Sequence, residues 1–351
     1  MGLRQDEPDA RAYGLEELLE QDPEFQVHDW QGWGPLLIEQ RLRLTARLSA
    51  PQPVIDRDGT VLLVLGGFPP NASDWGDVAR AAAEAMDAAA EEIYTEPKWR
   101  RKSAANASKV PRRGPHAAEH VGPAMGGGQR YPMNLQHSVV NLAIFARLFA
   151  LKSFERIAGW TNTLFMAFAP LLHQYYSSTL DQLFDWDATQ ERVKPLRRNF
   201  MRRLSVFATA TFNFGPATVT FPHIDFGNLA WGWCAITALG SFDPDRGGHL
   251  ILWDLKLVIR FPPGCTILLP SAILRHSNVK IQENERRYSF TQFTPAGIFR
   301  WVYNGFRTEN DVNTARSTTA DEHEQRRQDR TRRWAEGVKM YRTWPTDSVV
   351  A

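Results

Sequence analysis

Six short β-branched or aromatic runs crowd into one part of the chain: 205–214, 231–239, 249–255, 257–260, 266–269 and 287–293, each bounded by turn residues. A chain that turns so often buries its apolar side chains by wrapping short strands into a sandwich or jelly roll. The block before it has a different period. From Asn134 to about Arg203, Val139, Val140, Leu142, Phe145, Leu148 and Phe149 recur three and four residues apart, which predicts helices packed as support. Upstream, Val61 to Leu65 closed by Gly66-Gly67 reads as a buried strand, and Ser73 precedes a helix over 74–93. Segments 14–24 and 34–47 read as short helices, and 318–342 as a C-terminal helix with Trp334, Val338 and Tyr341 on one face. The expected class is α+β, a jelly-roll core with flanking helices. The expected division is an N-terminal helical extension (1–55), a catalytic unit (56–310) and a C-terminal helix and tail (311–351). Within the unit lie a loop at 97–115, helical support at 134–203 and the β core at 205–295.

Composition narrows the function classes. With 351 residues, 43% hydrophobic and 23% charged, the chain can bury a sizeable core. No apolar run approaches the ~18–20 residues that cross a bilayer. The acidic N-terminus is the reverse of a secretory leader, and Asp6 stands where a myristoylation motif needs Ser or Thr. Two cysteines, Cys234 and Cys265, exclude a disulfide framework and a Cys-rich zinc module. The expectation is a soluble, intracellular, reduced monomer without a membrane partner. Net charge is only +2, yet Lys98, Arg100, Arg101, Lys102, Lys109, Arg112 and Arg113 fall between Pro97 and Pro115 with no acidic residue. Such a stretch is either a solvated loop or a phosphate contact.

Two histidine constellations compete for chemistry. His116-x-x-Glu119-His120 matches the inverted zinc-hydrolase pattern, which needs both histidines on one helix face. Pro115 before it and Gly122-Pro123 after it leave hardly one helical turn, so a polar surface turn is expected there. The second is His223-x-Asp225, with a lone His276 fifty-one residues beyond Asp225. Strand alternation puts His223 and Asp225 on one face. Two imidazoles and a carboxylate on one side of a metal leave three positions open, the facial triad of non-haem Fe(II) oxygenases.

The same parity separates Arg287, Ser289 and Thr291 from Tyr288 and Phe290. A buried arginine is costly unless a carboxylate meets it. A dicarboxylic co-substrate held by Arg287 and the Ser289 hydroxyl would supply one; a protein carboxylate is the other reading, and Arg286 lies on the aromatic face.

His223-x-Asp225-x-x-Asn228, Gly247-Gly248-His249-Leu250 opening a strand, the Pro263-Gly264 turn, the distal His276 and Arg287-x-Ser289 together resemble the TET/JBP family of 2-oxoglutarate/Fe(II) dioxygenases. The chain looks like a short fungal member of that group. The resemblance spans roughly 205–295 by motif and implies a double-stranded β-helix. It further implies that His223, Asp225 and His276 bind Fe(II) and carry catalysis, that Arg287 and Ser289 bind 2-oxoglutarate, and that O2 is the oxidant. Asn228 would face an extruded base. Trp231 and Trp233 would either stack on that base or fill the barrel core. The implied partner is methylated, double-stranded DNA, and the implied location is the nucleus. The Cys-rich zinc-bearing region of vertebrate members is missing here. DNA docking is therefore expected from Arg100, Arg101, Lys102, Arg112 and Arg113. The implied reaction is oxidation of 5-methylcytosine, oxidative demethylation of N6-methyladenine, or both. The competing expectation is an oxygenase of the same fold acting on a protein or small metabolite.

Overall fold

The computed structural model describes residues 11–28, 36–37, 50–95, 114, 116–314 and 319–344. The basic stretch Arg100, Arg101, Lys102, Arg112 and Arg113 lies outside the described residues, as does most of the segment expected as a second helix.

Two sheets face one another. The larger has eight strands in the order β2 (Leu36–Leu37), β3 (Gln52–Ile55), β4 (Val61–Gly67), β12 (Thr266–Leu269), β9 (Cys234–Ser241), β14 (Arg286–Phe293), β8 (Thr209–Phe214), β5 (Ala117–Val121). The smaller runs β1 (Gln26–His28), β11 (Leu257–Ile259), β10 (Leu250–Leu252), β13 (His276–Asn278). A two-stranded pair, β6 (Pro123–Ala124) and β7 (Met133–Asn134), sits apart. All pairings are antiparallel except β1 with β11 and β2 with β3. Between the sheets lies an apolar layer of Leu63, Leu65, Cys234, Ala238, Leu250, Leu252, Ile259, Ile267 and Leu269, the alternate residues of their strands.

The opposite face of the large sheet is covered by helices. In α2 (Trp75–Thr95), Trp75, Val78, Ala79, Ala82, Met86, Ala89 and Ile93 form one buried stripe at helical spacing. Its start is pinned to the Pro263-Gly264 turn, where Trp75 Nε1 donates to Gly264 O at 2.9 Å. Gly264 takes φ +89°, a left-handed value that glycine adopts without strain. Three further helices follow, α3 (Val139–Ala150), α4 (Lys152–Phe168) and α5 (Pro170–Ala188). They bring Phe145, Phe149, Phe154 and Ile157 against Phe212, Tyr288 and Phe290. After β14 come α6 (Ala296–Tyr303), α7 (Glu309–Thr314) and α8 (Ala320–Val338).

Three expectations are corrected. The helical block stops at Ala188 rather than near Arg203, because Glu191 takes a left-handed φ of +47° and Pro195 has no N–H for a helix ladder. The described residues among 11–55 do not form a helical extension: α1 (Leu15–Gln21) is their one helix. Tyr13 bridges Val279, β1 pairs with β11, and Tyr13, Leu18 and Phe25 pack on Ile251 and Val258. Residues 36–37 are a strand, paired in parallel with β3.

Candidate metal centre

Asp225, His223 and His276 converge where the β8–β9 connection crosses β13. His223 and His276 form an isolated antiparallel bridge, each N–H donating to the other's carbonyl at 3.1 and 3.0 Å. The connection is anchored again where Asp225 N donates to Ser271 O at 2.7 Å. His223-x-Asp225 is thus not a continuous strand. Pro222 has no N–H for a ladder, and Phe226-Gly227 turns at once, so a single bridge does what alternation was expected to do.

One ligand atom from each of the three residues lies within 4.8 Å of the others, a set that can hold a metal ion. His223 Nε2 is 3.9 Å from Asp225 Oδ1, and the two imidazole centroids are 4.4 Å apart. The far side of each ring fixes its tautomer. His223 Nδ1 lies 2.6 Å from Phe221 O and His276 Nδ1 lies 2.9 Å from Leu274 O. A carbonyl oxygen only accepts, so each Nδ1 carries the hydrogen and each Nε2 keeps its lone pair for a metal.

The cavity in front of this set is lined by Thr211, Asn213, Thr220, Asn228, Ile236, Leu250, Asn278, Ser289, Thr291 and Phe293. Apart from the ligand set, these side chains are hydroxyls, amides and hydrocarbons. No described lining residue adds a charge. Asn228 Nδ2 donates to Ser271 Oγ at 3.1 Å, and Thr220 Oγ1 to Asn278 Oδ1 at 2.8 Å. Asn213 Nδ2 donates to Ser289 Oγ at 3.0 Å.

Arg287 lies on the same face of β14 as Ser289 and is fully buried. Its Nη1 donates to Thr218 O at 2.9 Å, while Nε and Nη2 are buried with no hydrogen-bond partner. Burial lowers the guanidinium pKa to about 10, still charged at neutral pH. Nε and Nη2 form the side-on fork that a carboxylate meets with two parallel bonds. Arg286, on the other face, is half-exposed and paired with Asp87. The parity argument therefore holds residue by residue, and no described protein carboxylate pairs with Arg287.

Other sequence-level candidates fall elsewhere. Trp233 is buried against Phe165 and Tyr341, and Trp231 packs on Gly337. Neither lines the cavity, so both belong to the core side of the choice left open for them. His116, Glu119 and His120 run onto β5 instead of a surface turn, because the stretch pairs with β8 through Ala117 to Val121. His116 Nδ1 donates to Val219 O at 2.9 Å, His120 Nδ1 meets Thr211 Oγ1 at 2.6 Å, and Glu119 faces His137. They share no ligand point. Thr211 and Asn213 escaped the sequence reading. Their signal was available: in Thr-Ala-Thr-Phe-Asn-Phe the polar side chains alternate with apolar ones, which marks a polar cavity wall backed by core.

Among solved structures the chain is similar to NgTET1 in complex with 5mC DNA, at 13% identity and a TM-score of 0.38, over 75% of this chain and 82% of that one. It is also similar to an oxidoreductase of the 2OG-Fe(II) oxygenase family from Burkholderia pseudomallei, at 16% identity and a TM-score of 0.28, over 64% of this chain and 92% of that one. No family model matches the chain, and no curated protein matches it in sequence. Overlaps this partial assign no activity.

Proposed function

We propose that this protein is an Fe(II)- and 2-oxoglutarate-dependent dioxygenase of TET/JBP type, with a double-stranded β-helix core, that oxidises the methyl group of methylated bases in DNA. The observation that carries the enzyme class is a pair of features linked through β14, whose Ser289 lines the cavity and whose Arg287 lies two residues away on the same face. One is a His-Asp-His set whose Nε2 atoms face a common point; the other is a buried arginine with an unmet carboxylate fork. Both fit the groups they would hold. When bound, iron and 2-oxoglutarate supply oxidation by O2: one oxygen atom leaves in succinate as CO2 is released, and the other enters a methyl C–H bond as hydroxyl.

The chain's residues do the remaining work. His223, Asp225 and His276 would hold the metal. Arg287 neutralises the co-substrate's distal carboxylate, and the Ser289 hydroxyl adds a hydrogen bond beside it. The neutral polar wall of Thr211, Asn213, Thr291, Asn228 and Asn278 suits an uncharged group with donors and acceptors, such as a nucleobase, better than a charged metabolite. A base enters only by leaving the duplex, at a cost of a few kcal/mol. On 5-methylcytosine the hydroxymethyl product is stable; on N6-methyladenine it loses formaldehyde. Phosphate grip is assigned to Arg100, Arg101, Lys102, Arg112 and Arg113. Replacing all five by Ala should weaken methylated and unmethylated duplexes alike and flatten the slope of log K against log salt by ~0.9 per lost contact. Nuclear location follows from this substrate.

The test is incubation with Fe(II), 2-oxoglutarate and duplexes carrying 5-methylcytosine or N6-methyladenine, followed by nucleoside mass spectrometry and succinate measurement. Oxidised or demethylated nucleoside matching succinate supports the reading. Succinate release that no nucleic acid stimulates would favour a protein or metabolite substrate.

A further inference from the structure

A second concave surface lies on the other side of the large sheet. Ser289 and Thr291 of β14 line the metal cavity, whereas Tyr288 and Phe290 point to the layer of α2, α3 and α4. On the outside of that layer, α3 and the irregular segment 193–204 enclose a groove of about 570 Å3. Its floor is Leu142, Phe145, Phe149, Phe200 and Leu204. The groove-facing stripe of α3 is apolar: Val139, Leu142, Ala146 and Ala150 are exposed, while Arg147, outside the groove, pairs with Glu92. Val139 is 85% exposed and Val193, across the groove, 98%. An amphipathic helix turns such a stripe inward; this one presents it outward.

The rim is cationic. Lys194, Arg197 and Arg198 line it, with Glu155 as the one acidic lining residue among those described, itself paired with Lys152. Arg198 and Arg202 share the single carboxylate of Asp181. Lys194 and Arg197 have no carboxylate partner among the described residues. Each half of the surface excludes an occupant. A nucleic acid would satisfy the cations and leave the exposed hydrocarbon of Val139, Leu142 and Val193 wet. A second copy of this chain would bring the same cations against their like. A ligand that supplies both hydrocarbon and negative charge meets both halves, and the alanines at positions 146 and 150 let a helix approach closely.

We propose that this groove docks an acidic amphipathic helix of a partner protein, with the partner's apolar stripe on α3 and its carboxylates on Lys194 and Arg197. The surface faces away from the metal cavity, so a bound partner leaves the cavity open. The inference does not depend on the DNA reading.

The probe is a fluorescent helical peptide of about 18 residues, five turns, with Leu at i, i+3, i+4 and i+7 and Glu elsewhere. A twin carries Lys for each Glu. Anisotropy is measured on the full chain, on Ala146→Glu and on Arg197→Glu, with iron binding as the check on folding. The expected result is binding of the acidic peptide only, weakened at least about tenfold by either substitution, with iron binding unchanged. Equal binding of both peptides, or acidic-peptide binding that both variants retain, overturns the proposal. So does loss of duplex affinity in Arg197→Glu, which would make the groove a nucleic-acid surface. A wild-type dimer that Ala146→Glu converts to monomer in sedimentation would make a second copy the occupant and overturn it equally.

Discussion

Two stretches of this chain carry two histidines and a carboxylate, and only one of them makes a ligand set. In His116-x-x-Glu119-His120 the residues run onto a single strand. Four strand residues span about 13 Å, and Glu119 points to the opposite face from His120, so the three donors cannot share an ion. On a helix the same spacing would bring both histidines within one turn. At the other site the donors come from two chain segments. The bridge between His223 and His276 sets their rings 4.4 Å apart, and Asp225 follows after one residue. The backbone that carries a motif, more than its letters, decides whether it is a site.

The largest effect should come from breaking the working constellation. His223→Ala, Asp225→Ala or His276→Ala is expected to abolish turnover in a succinate-release assay while far-ultraviolet circular dichroism is unchanged. Near-normal turnover in any one of them would remove that residue from the metal.

Arg287 sharpens the contrast between the two faces of one strand. Losing a bidentate, charge-assisted pair costs about 2–3 kcal/mol. Arg287→Ala should therefore raise the half-saturating 2-oxoglutarate concentration by about two orders of magnitude, and Arg286→Ala by less than about threefold. The co-substrate should also raise the melting temperature of the wild type and not that of Arg287→Ala. The reverse order would place the strand one residue out of register.

A third histidine separates burial from ligation. His249 is 2% exposed, and desolvation lowers its pKa to about 4 from 6.5. Between those values the unfolded chain binds a proton that the folded chain refuses, so stability falls as pH drops from about 6.5 to about 4 and is level above. The loss amounts to at most about 3 kcal/mol, and denaturant titrations of wild type and His249→Gln should show a shallower pH slope in the variant. The smallest effect belongs to the silent constellation. His116→Gln should change turnover by less than about threefold, because it removes one hydrogen bond to Val219 O.

Much of this was readable before folding. Parity placed Arg287 and Ser289 on one face because a strand's period is two whatever surrounds it. His223, Asp225 and His276 were legible by spacing, although the element carrying them was not: a bridge between distant segments leaves no local pattern. The strand β5 was hidden for the same reason, since Ala117 and Ala118 have no strand preference and pair only because β8 lies alongside. Trp231 and Trp233 lie close in sequence to the ligands yet pack toward the helices, and sequence distance said nothing of that.

Anaerobic calorimetric titration with Fe(II) in the presence of 2-oxoglutarate tests the central claim most directly. The account predicts one iron per chain in the wild type, one in the double variant His116→Gln/His120→Gln, and none in His276→Ala. Iron retained by His276→Ala and lost from the double variant would contradict it and move the metal to the other histidines.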